Sequence, residues 1–299
     1  MLRYRLTLGP VLIATIVAVC FFDQWVEGAP IPSGLRWLFF GRQTIPPGLG
    51  VFLLCAAAAV LASRELAAIL KANGVEASKR ITTFAAILGL LVSGVVPARF
   101  LATSAAAVVC SAATVVLLTS LAFHSRRRTV EGVVASAGGT LLAFVYLGLM
   151  FGFALAIRRE HSVWVLAWVI LTTKACDIGA FFTGRAIGRH KLILWLSPGK
   201  TWEGLVGGVL TSAAVGAGGV ALLRSMGIAL PPVWEGAVAG AVFGLVGQLG
   251  DLIESLFKRD AGMKDSSSVL PGFGGVLDVL DSPLLALPVA FWWLHGLHA

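Results

Sequence analysis

The sequence predicts an all-α fold, a polytopic integral membrane helical bundle with about nine transmembrane helices. Of its 299 residues, 58% are hydrophobic and only 13% are charged, and the mean hydropathy is +0.90. Water-soluble domains carry far more charge than this. Nine apolar runs approach the roughly 17–25 residues that a bilayer-spanning helix needs. They lie at about 8–22, 48–70, 81–97, 101–123, 132–157, 163–184, 203–223, 234–257 and 276–297.

The first run is predicted to be an uncleaved span. Arg3 and Arg5 precede its apolar core, as in a signal peptide, but the run ends in Cys20, Phe21 and Phe22. No small-residue cleavage site follows directly, so we expect the segment to stay attached.

Basic residues set the expected orientation. With a cytoplasmic N-terminus, fifteen lysines and arginines fall in inner segments and six in outer segments, while Arg64 and Lys174 lie inside spans. This bias predicts a cytoplasmic N-terminus and places the polar loops 185–202 and 258–275 on the cytoplasmic face. The net charge of +8 is then explained by the orientation of the chain in the membrane, and no nucleic acid partner is expected. The lack of a long soluble tail favours a bacterial inner membrane.

The chain divides into two predicted regions. Residues 1–130 form transmembrane scaffold helices, and residues 131–299 form a catalytic region with its site on the cytoplasmic face. Glycines recur at 204–219 and 236–250, where small residues let membrane helices pack closely. Close packing is the favoured interpretation, and a substrate groove is the alternative. These faces are also compatible with a homodimer.

Candidate site residues concentrate between 248 and 282. This stretch holds six of the fifteen acidic residues, namely Asp251, Glu254, Asp260, Asp265, Asp278 and Asp281. Asp251 and Glu254 are three positions apart, as are Asp278 and Asp281, so each pair should share one helix face. Between the pairs lie Lys258, Arg259 and Lys264, then a Pro-Gly-x-Gly-Gly turn. Paired carboxylates beside lysines and a glycine turn indicate a site for a divalent metal and phosphate.

Ionisable residues inside other spans leave two interpretations open. Lys174 and Asp177 could form an i,i+3 ion pair, or they could face a polar pocket together with the carboxylates of the last two spans, since buried charges in membranes need partners. Arg64 and Glu65 are adjacent and point to different sides of their helix. Each either reaches the surface or meets another helix.

The segment Ser197-Pro-Gly-Lys-Thr-Trp-Glu-Gly204 contains Gly-Lys-Thr. A Walker A loop needs a further glycine where this chain has Leu194, so the segment is not a P-loop. Lys200 and Thr201 before a span are still well placed to meet phosphate oxygens, aided by the amides of the first helical turn. A basic membrane anchor with a helix-capping Thr is the alternative.

These motifs resemble the CDP-diacylglycerol synthase (phosphatidate cytidylyltransferase) family over roughly 172–283. The family signature reads approximately S-x-x-K-R-x4-K-D, then P-G-H-G-G-x-x-D-R-x-D. This chain has Ser255-Leu-Phe-Lys258-Arg259, Lys264-Asp265, Pro271-Gly-Phe273-Gly-Gly275 and Asp278-Val279-Leu-Asp281. The blocks Asp177-Ile-Gly-Ala-Phe-Phe with Gly184-Arg185, Ser197–Gly204 and Gly250-Asp251 are also similar. Phe273 and Val279 replace the family's histidine and arginine.

The resemblance implies that CTP and phosphatidic acid are converted to CDP-diacylglycerol and pyrophosphate with Mg²⁺, and it allows a second cation such as K⁺. It implies catalytic roles for Asp251, Asp278, Lys258 and Lys174, and metal ligation by Asp251, Asp278, Asp281 and Glu254. The implied substrate-binding residues are Ser197, Lys200, Thr201, Glu203, Arg259, Lys264, Asp265, Asp177 and Arg185. The alternatives are a CTP-dependent lipid kinase of the polyprenol or phytol type, an ion-coupled transporter and a non-catalytic scaffold.

Overall fold

A computed structural model describes residues 2–39, 41–99, 102–126 and 130–296. Arg127 and Arg128, two of the fifteen basic residues assigned to inner segments, lie outside this part of the chain, as does the end of the last predicted span. The helices are α1 (Leu2–Val26), α2 (Leu49–Ala72), α3 (Lys79–Arg99), α4 (Ala102–Ser125), α5 (Val133–Leu142), α6 (Met150–Glu160), α7 (Val163–Ile187), α8 (Trp202–Ser225), α9 (Val233–Asp260) and α10 (Val276–Gly296). A 3₁₀ helix spans Ser33–Phe39, and a π-helical turn, Ala143–Leu149, joins α5 to α6.

The described residues contain eight helical segments that are long and apolar enough to cross a membrane. One of them, Val133–Glu160, runs continuously through α5, the π-helical turn and α6. The remaining predicted span, 81–97, corresponds to α3, whose side chains beyond residue 94 lie outside the description. The protein is therefore a helical polytopic membrane protein, and the expected count of nine is not exact.

A small β-hairpin departs from the all-α expectation. Strand β1 (Lys191–Ile193) pairs antiparallel with β2 (Ser197–Thr201) between α7 and α8. Thr201 ends the hairpin and caps α8, because its hydroxyl oxygen accepts a hydrogen bond from the Gly204 amide at 3.1 Å. Such a cap satisfies one of the amides that a helix N-terminus leaves unpaired. Most of the loop expected at 185–202 is thus an ordered hairpin, residues 191–201, that leads directly into α8.

Close backbone contacts join α7, α8 and α9. A Cβ atom added to Gly208 would lie 2.6 Å from the Cys176 carbonyl oxygen. Similar additions to Gly216 and Gly240 would overlap the carbonyl oxygens of Gly236 and Ser212. Small residues bring membrane helices together because lipid supplies no hydrophobic drive for their association. The packing interpretation of the two glycine-rich faces is confirmed.

A buried ion pair ties α1 to the segment after the π-helical turn. Arg158 of α6 donates to Asp23 at 2.5 Å and to Glu27 at 2.5 Å, and both Arg158 and Asp23 are almost fully buried. Asp23 also accepts the Gly50 amide at 2.7 Å, so it caps the start of α2. These contacts fix α1, α2 and α6 as one unit at the end of the bundle opposite the hairpin.

Candidate active site

The two acidic pairs meet where α9 packs against α10. Gly250 permits this contact, because a Cβ atom at that position would overlap the Asp281 carbonyl oxygen. Each of Asp251, Glu254 and Asp281 offers a carboxylate oxygen, and the three oxygens lie within 4.8 Å of one another. We call Asp251, Glu254 and Asp281 the carboxylate triad. The i,i+3 spacing places Asp251 and Glu254 on one face, and the helix packing adds Asp281.

Three lysines from different elements surround the triad. Lys174 of α7 contacts Asp281 at 3.2 Å, and Lys200 of the hairpin contacts Asp251 at 2.8 Å. Lys258 of α9 contacts Glu254 at 2.9 Å. Each triad carboxylate therefore has its own ammonium partner. The structure brings together residues that are distant in sequence and were predicted to be catalytic, substrate-binding or metal-binding.

Lys174 contacts both Asp177 and a carboxylate of the last span, the two possibilities that the sequence left open. Its ammonium group lies 3.2 Å from Asp177, three positions along α7, and also reaches Asp281. Asp177 accepts a hydrogen bond from the Gln248 amide at 2.6 Å, and the Ser282 hydroxyl donates to it at 3.3 Å. Gln248 and Ser282 were not predicted as site residues, since neither belongs to an ionisable pair.

Asp278 lies beside the triad but is held differently. One of its oxygens contacts Lys258 at 2.5 Å, and the other accepts the amides of Gly275 at 2.6 Å and Ser266 at 2.9 Å. Gly274 adopts a φ of 96°, a conformation that favours glycine, and so turns the Gly275 amide toward the carboxylate. Asp278 is thus fixed by the glycine turn, and it is not among the three grouped metal-ligating side chains. Its predicted metal and catalytic roles stay predictions.

Glu65 holds the glycine turn from outside the predicted catalytic region. Its carboxylate accepts the amides of Val276 at 3.0 Å and Leu277 at 2.8 Å, the first residues of α10. It also accepts the hydroxyls of Ser267 at 2.6 Å and Ser266 at 3.2 Å. A carboxylate at a helix N-terminus is stabilised by the unpaired amides and by the helix dipole. Glu65 therefore meets another helix rather than reaching the surface.

The hairpin contributes further predicted substrate-binding residues. Glu203 contacts His190 Nδ1 at 2.6 Å and so closes the base of the hairpin. Ser197 pairs with Ile193 in the ladder. Arg259 donates from Nε to the Leu196 carbonyl oxygen at 3.3 Å, which ties the end of α9 to the hairpin.

The remaining predicted substrate-binding residues lie at the rim of this end of the bundle. Arg185, Lys264 and Asp265 are exposed, beyond the carboxylate triad and its lysines. Lys264 and Asp265 follow the end of α9, and Arg185 lies in the last turn of α7. The structure therefore leaves these three side chains exposed, outside the polar cluster itself.

The triad has the donor set and the unsatisfied charge that suit a divalent cation. The three lysines contact five carboxylates, namely Asp177, Asp251, Glu254, Asp278 and Asp281, which leaves a formal charge of −2 when all are ionised. Glu254 is fully buried, and its Oε1 atom has no hydrogen-bond partner in the described part of the chain. A buried carboxylate oxygen without a partner is costly. The residues therefore fit Mg²⁺, which prefers oxygen ligands and binds through few carboxylates.

Fold and site together define a helical membrane protein that gathers carboxylates and lysines from several spans into one polar cluster. The chain matches the model of the cytidylyltransferase family over residues 35–297. Because this match covers most of the sequence, the chain belongs to that family.

Curated relatives include three proteins named phosphatidate cytidylyltransferase. The one from Haemophilus influenzae is 38% identical over 128 residues, which is 43% of this chain and 44% of the relative. The one from Staphylococcus haemolyticus is 38% identical over 149 residues, or 50% of this chain and 55% of the relative. The one from Staphylococcus aureus strain COL is 39% identical, with the same coverage. The chain spans about half the length of the curated relatives it matches.

Proposed function

We propose that this protein is a phosphatidate cytidylyltransferase of a bacterial inner membrane, with its N-terminus and site on the cytoplasmic side. A phosphatidic acid oxygen attacks the α-phosphorus of CTP, the bond between the α-phosphorus and its bridging oxygen breaks, and pyrophosphate leaves. The lipid product is CDP-diacylglycerol. The observation that carries the proposal is the carboxylate triad surrounded by Lys174, Lys200 and Lys258.

When phosphates bind, these lysines would exchange their carboxylate partners for phosphate oxygens. In the structure each ammonium group neutralises a carboxylate of the cluster. A cation on the triad would release the lysines toward phosphate oxygens. Lys200 is the best placed to turn, because it comes from the hairpin rather than from a packed helix. Lys174 and Asp177 would form the floor of the site, as the resemblance implies.

Asp251, Glu254 and Asp281 are the proposed ligands of Mg²⁺, and Asp278 lies next to them. When bound, Mg²⁺ would neutralise phosphate charge and align the triphosphate for in-line displacement. The attacking phosphatidate oxygen is already anionic, so the reaction needs no strong general base, and positioning and charge neutralisation supply the acceleration. Asp278 orders the glycine turn and contacts Lys258, and its metal ligation stays a prediction.

The location of the cluster favours an enzyme over an ion-coupled transporter. Transporter sites lie near the bilayer midplane in broken helices. Here the acids lie on intact stretches of α9 and α10, beside the polar segments that contain Lys200 and Ser266. Acyl chains could remain among the exposed apolar side chains of the helices while the lipid phosphate reaches the cluster.

Pyrophosphate release tests the proposal. Purified protein in detergent receives γ-labelled CTP, Mg²⁺ and either phosphatidic acid or a polyprenol. We expect labelled pyrophosphate only with phosphatidic acid. Label transferred to the polyprenol would instead identify a CTP-dependent lipid kinase, and the absence of reaction with either lipid would contradict both enzymatic proposals. Activity with phosphatidic acid would also establish that Phe273 and Val279 are compatible with catalysis.

A further inference from the structure

Tyr146 lies in the π-helical turn of the span Val133–Glu160. Its side chain is 3% exposed, and its ring packs edge-on against Phe257 of α9 with centroids 5.9 Å apart. A π-helical turn adds a residue to the helix and re-aims the side chains on it, and such turns are frequent at functional sites. Gly148 and Gly89 support this turn, because a Cβ atom at Gly89 would lie 2.8 Å from the Gly148 Cα atom. The turn is therefore packed tightly against α3.

The Tyr146 side chain lies beside the carboxylate triad, because its ring contact, Phe257, follows Glu254 by three positions and so shares one face of α9 with it. Its oxygen nevertheless has no hydrogen-bond partner in the described part of the chain. Buried tyrosine hydroxyls usually find a partner. Glu254 Oε1, which belongs to the triad, also has no hydrogen-bond partner among the described residues.

A buried hydroxyl donor with no partner in the described part of the chain therefore lies beside carboxylates to which it is not bonded. A group that accepts from Tyr146 and also sits at the triad must carry oxygens and be compatible with nearby lysines. Phosphate oxygens meet both conditions, because they accept hydrogen bonds strongly and bind ammonium groups and cations.

We propose that Tyr146 contacts the substrate, donating a hydrogen bond from its hydroxyl to a phosphate oxygen bound at the carboxylate triad. This inference rests on the proposed function and extends it by a residue that belongs to none of the sequence motifs. The phosphate is supplied either by CTP or by phosphatidic acid. The hydroxyl orients that phosphate, and it neither gains nor loses a proton in the reaction.

The variant Tyr146→Phe removes only the hydroxyl and keeps the ring contact with Phe257. The lost hydrogen bond to a charged phosphate should lower kcat/KM by about 10- to 100-fold. Thermal stability should stay constant or rise, because the hydroxyl has no partner within the described protein. The matched control is Thr172→Val, which removes another buried hydroxyl that has no partner in the described chain. This control should leave kcat/KM unchanged.

Fluorine NMR gives a second readout that needs no turnover. The chain has two tyrosines, Tyr4 and Tyr146, so a Tyr4→Phe protein labelled with 3-fluorotyrosine reports on Tyr146 alone. The resonance is followed during separate additions of Mg²⁺ with CTP, of phosphatidic acid, and of Mg²⁺ with inorganic pyrophosphate. A shift with CTP and pyrophosphate assigns the contact to the nucleotide, and a shift with phosphatidic acid assigns it to the lipid.

The two experiments separate this inference from the proposed function. If the wild-type protein is active, the Tyr146→Phe variant is unimpaired and the resonance does not shift, the role of Tyr146 is overturned. The proposed function then still stands. Inactive wild-type protein whose resonance shifts with phosphates would overturn the proposed reaction and support the phosphate contact. A resonance that no phosphate compound moves overturns the role of Tyr146 in either case.

Discussion

The carboxylate of Glu65 accepts a hydrogen bond from the Leu277 amide at 2.8 Å, across 212 positions of sequence. This contact joins α2 to the first turn of α10, one residue before Asp278. The buried carboxylate also holds Ser266 and Ser267. Glu65 is therefore a positioning residue, which acts on the site through the backbone of the glycine turn.

Glu65→Gln should reduce both stability and activity. All the groups around the Glu65 carboxylate are backbone amide or hydroxyl donors. In glutamine an NH₂ group replaces one carboxylate oxygen, so some of these surrounding donors lose their acceptor. Loss of hydrogen bonds to a charged acceptor costs about 1.5–3 kcal/mol. Thermal unfolding in detergent and pyrophosphate release measure the two effects. The neighbouring Arg64→Gln, at an exposed position, is the control and should behave as wild type; equal effects of both variants would contradict the positioning role.

Asp251→Asn should abolish Mg²⁺-dependent turnover while the protein remains folded. The substitution keeps the shape of the side chain but removes the negative charge that Asp251 contributes to the triad and to its ion pair with Lys200. Thermal unfolding with increasing Mg²⁺ should show stabilisation of the wild type and little of the variant, since a ligand that binds the folded state stabilises it. Asp260→Asn, at the exposed end of α9, is the matched control. Near-normal turnover by Asp251→Asn would rule out this metal assignment.

Gly250→Ala should separate α9 from α10 at the triad. The added methyl group would overlap the Asp281 carbonyl oxygen, and overpacking of this kind costs about 1–3 kcal/mol. Activity should fall because Asp251 and Asp281 move apart. Gly218→Ala in α8 is the control, since a Cβ atom there meets no atom of the described residues within 4 Å. We expect that exchange to be neutral or to stabilise by up to about 1 kcal/mol. A Gly250→Ala protein with wild-type stability would contradict the close contact.

Arg158→Met should destabilise the protein at the end far from the site. It leaves Asp23 buried without its cation, and breaking a buried ion pair in this way costs about 3–5 kcal/mol. The measurement is thermal unfolding, followed by KM for CTP on the surviving folded protein, which should be unchanged. Arg224→Met, at an exposed position, should have little effect. A large rise in KM would indicate that Arg158 acts on the site after all.

Sequence spacing predicted those parts of the site that lie within a single helix. The three-residue intervals of Asp251 with Glu254, and of Asp278 with Asp281, fix which side chains share a helix face. Spacing alone could not decide that Asp281, rather than Asp278, joins the other two, because this depends on the close approach at Gly250. Hydropathy likewise predicted the spans, since bilayer thickness sets their length directly.

The missed residues have no local signal. Glu65 acts more than 200 positions away, so only the tertiary packing of α2 against the glycine turn reveals its role. The proposed role of Tyr146 depends on a π-helical turn, which hydropathy cannot distinguish from an α-helix. The hairpin 191–201 was expected only as a polar loop, because β1 has three residues and is too short to show an alternating pattern.

The transfer of the cytidylyl group is tested most directly by following both ends of CTP in one reaction. CTP carrying one phosphorus isotope at the α-position and another at the γ-position is incubated with phosphatidic acid, Mg²⁺ and the purified protein. We predict that the α-label enters the lipid fraction and that the γ-label leaves in pyrophosphate, in equal amounts. Entry of the γ-label into lipid, or an α-label that stays entirely in soluble nucleotides, would contradict the proposed reaction.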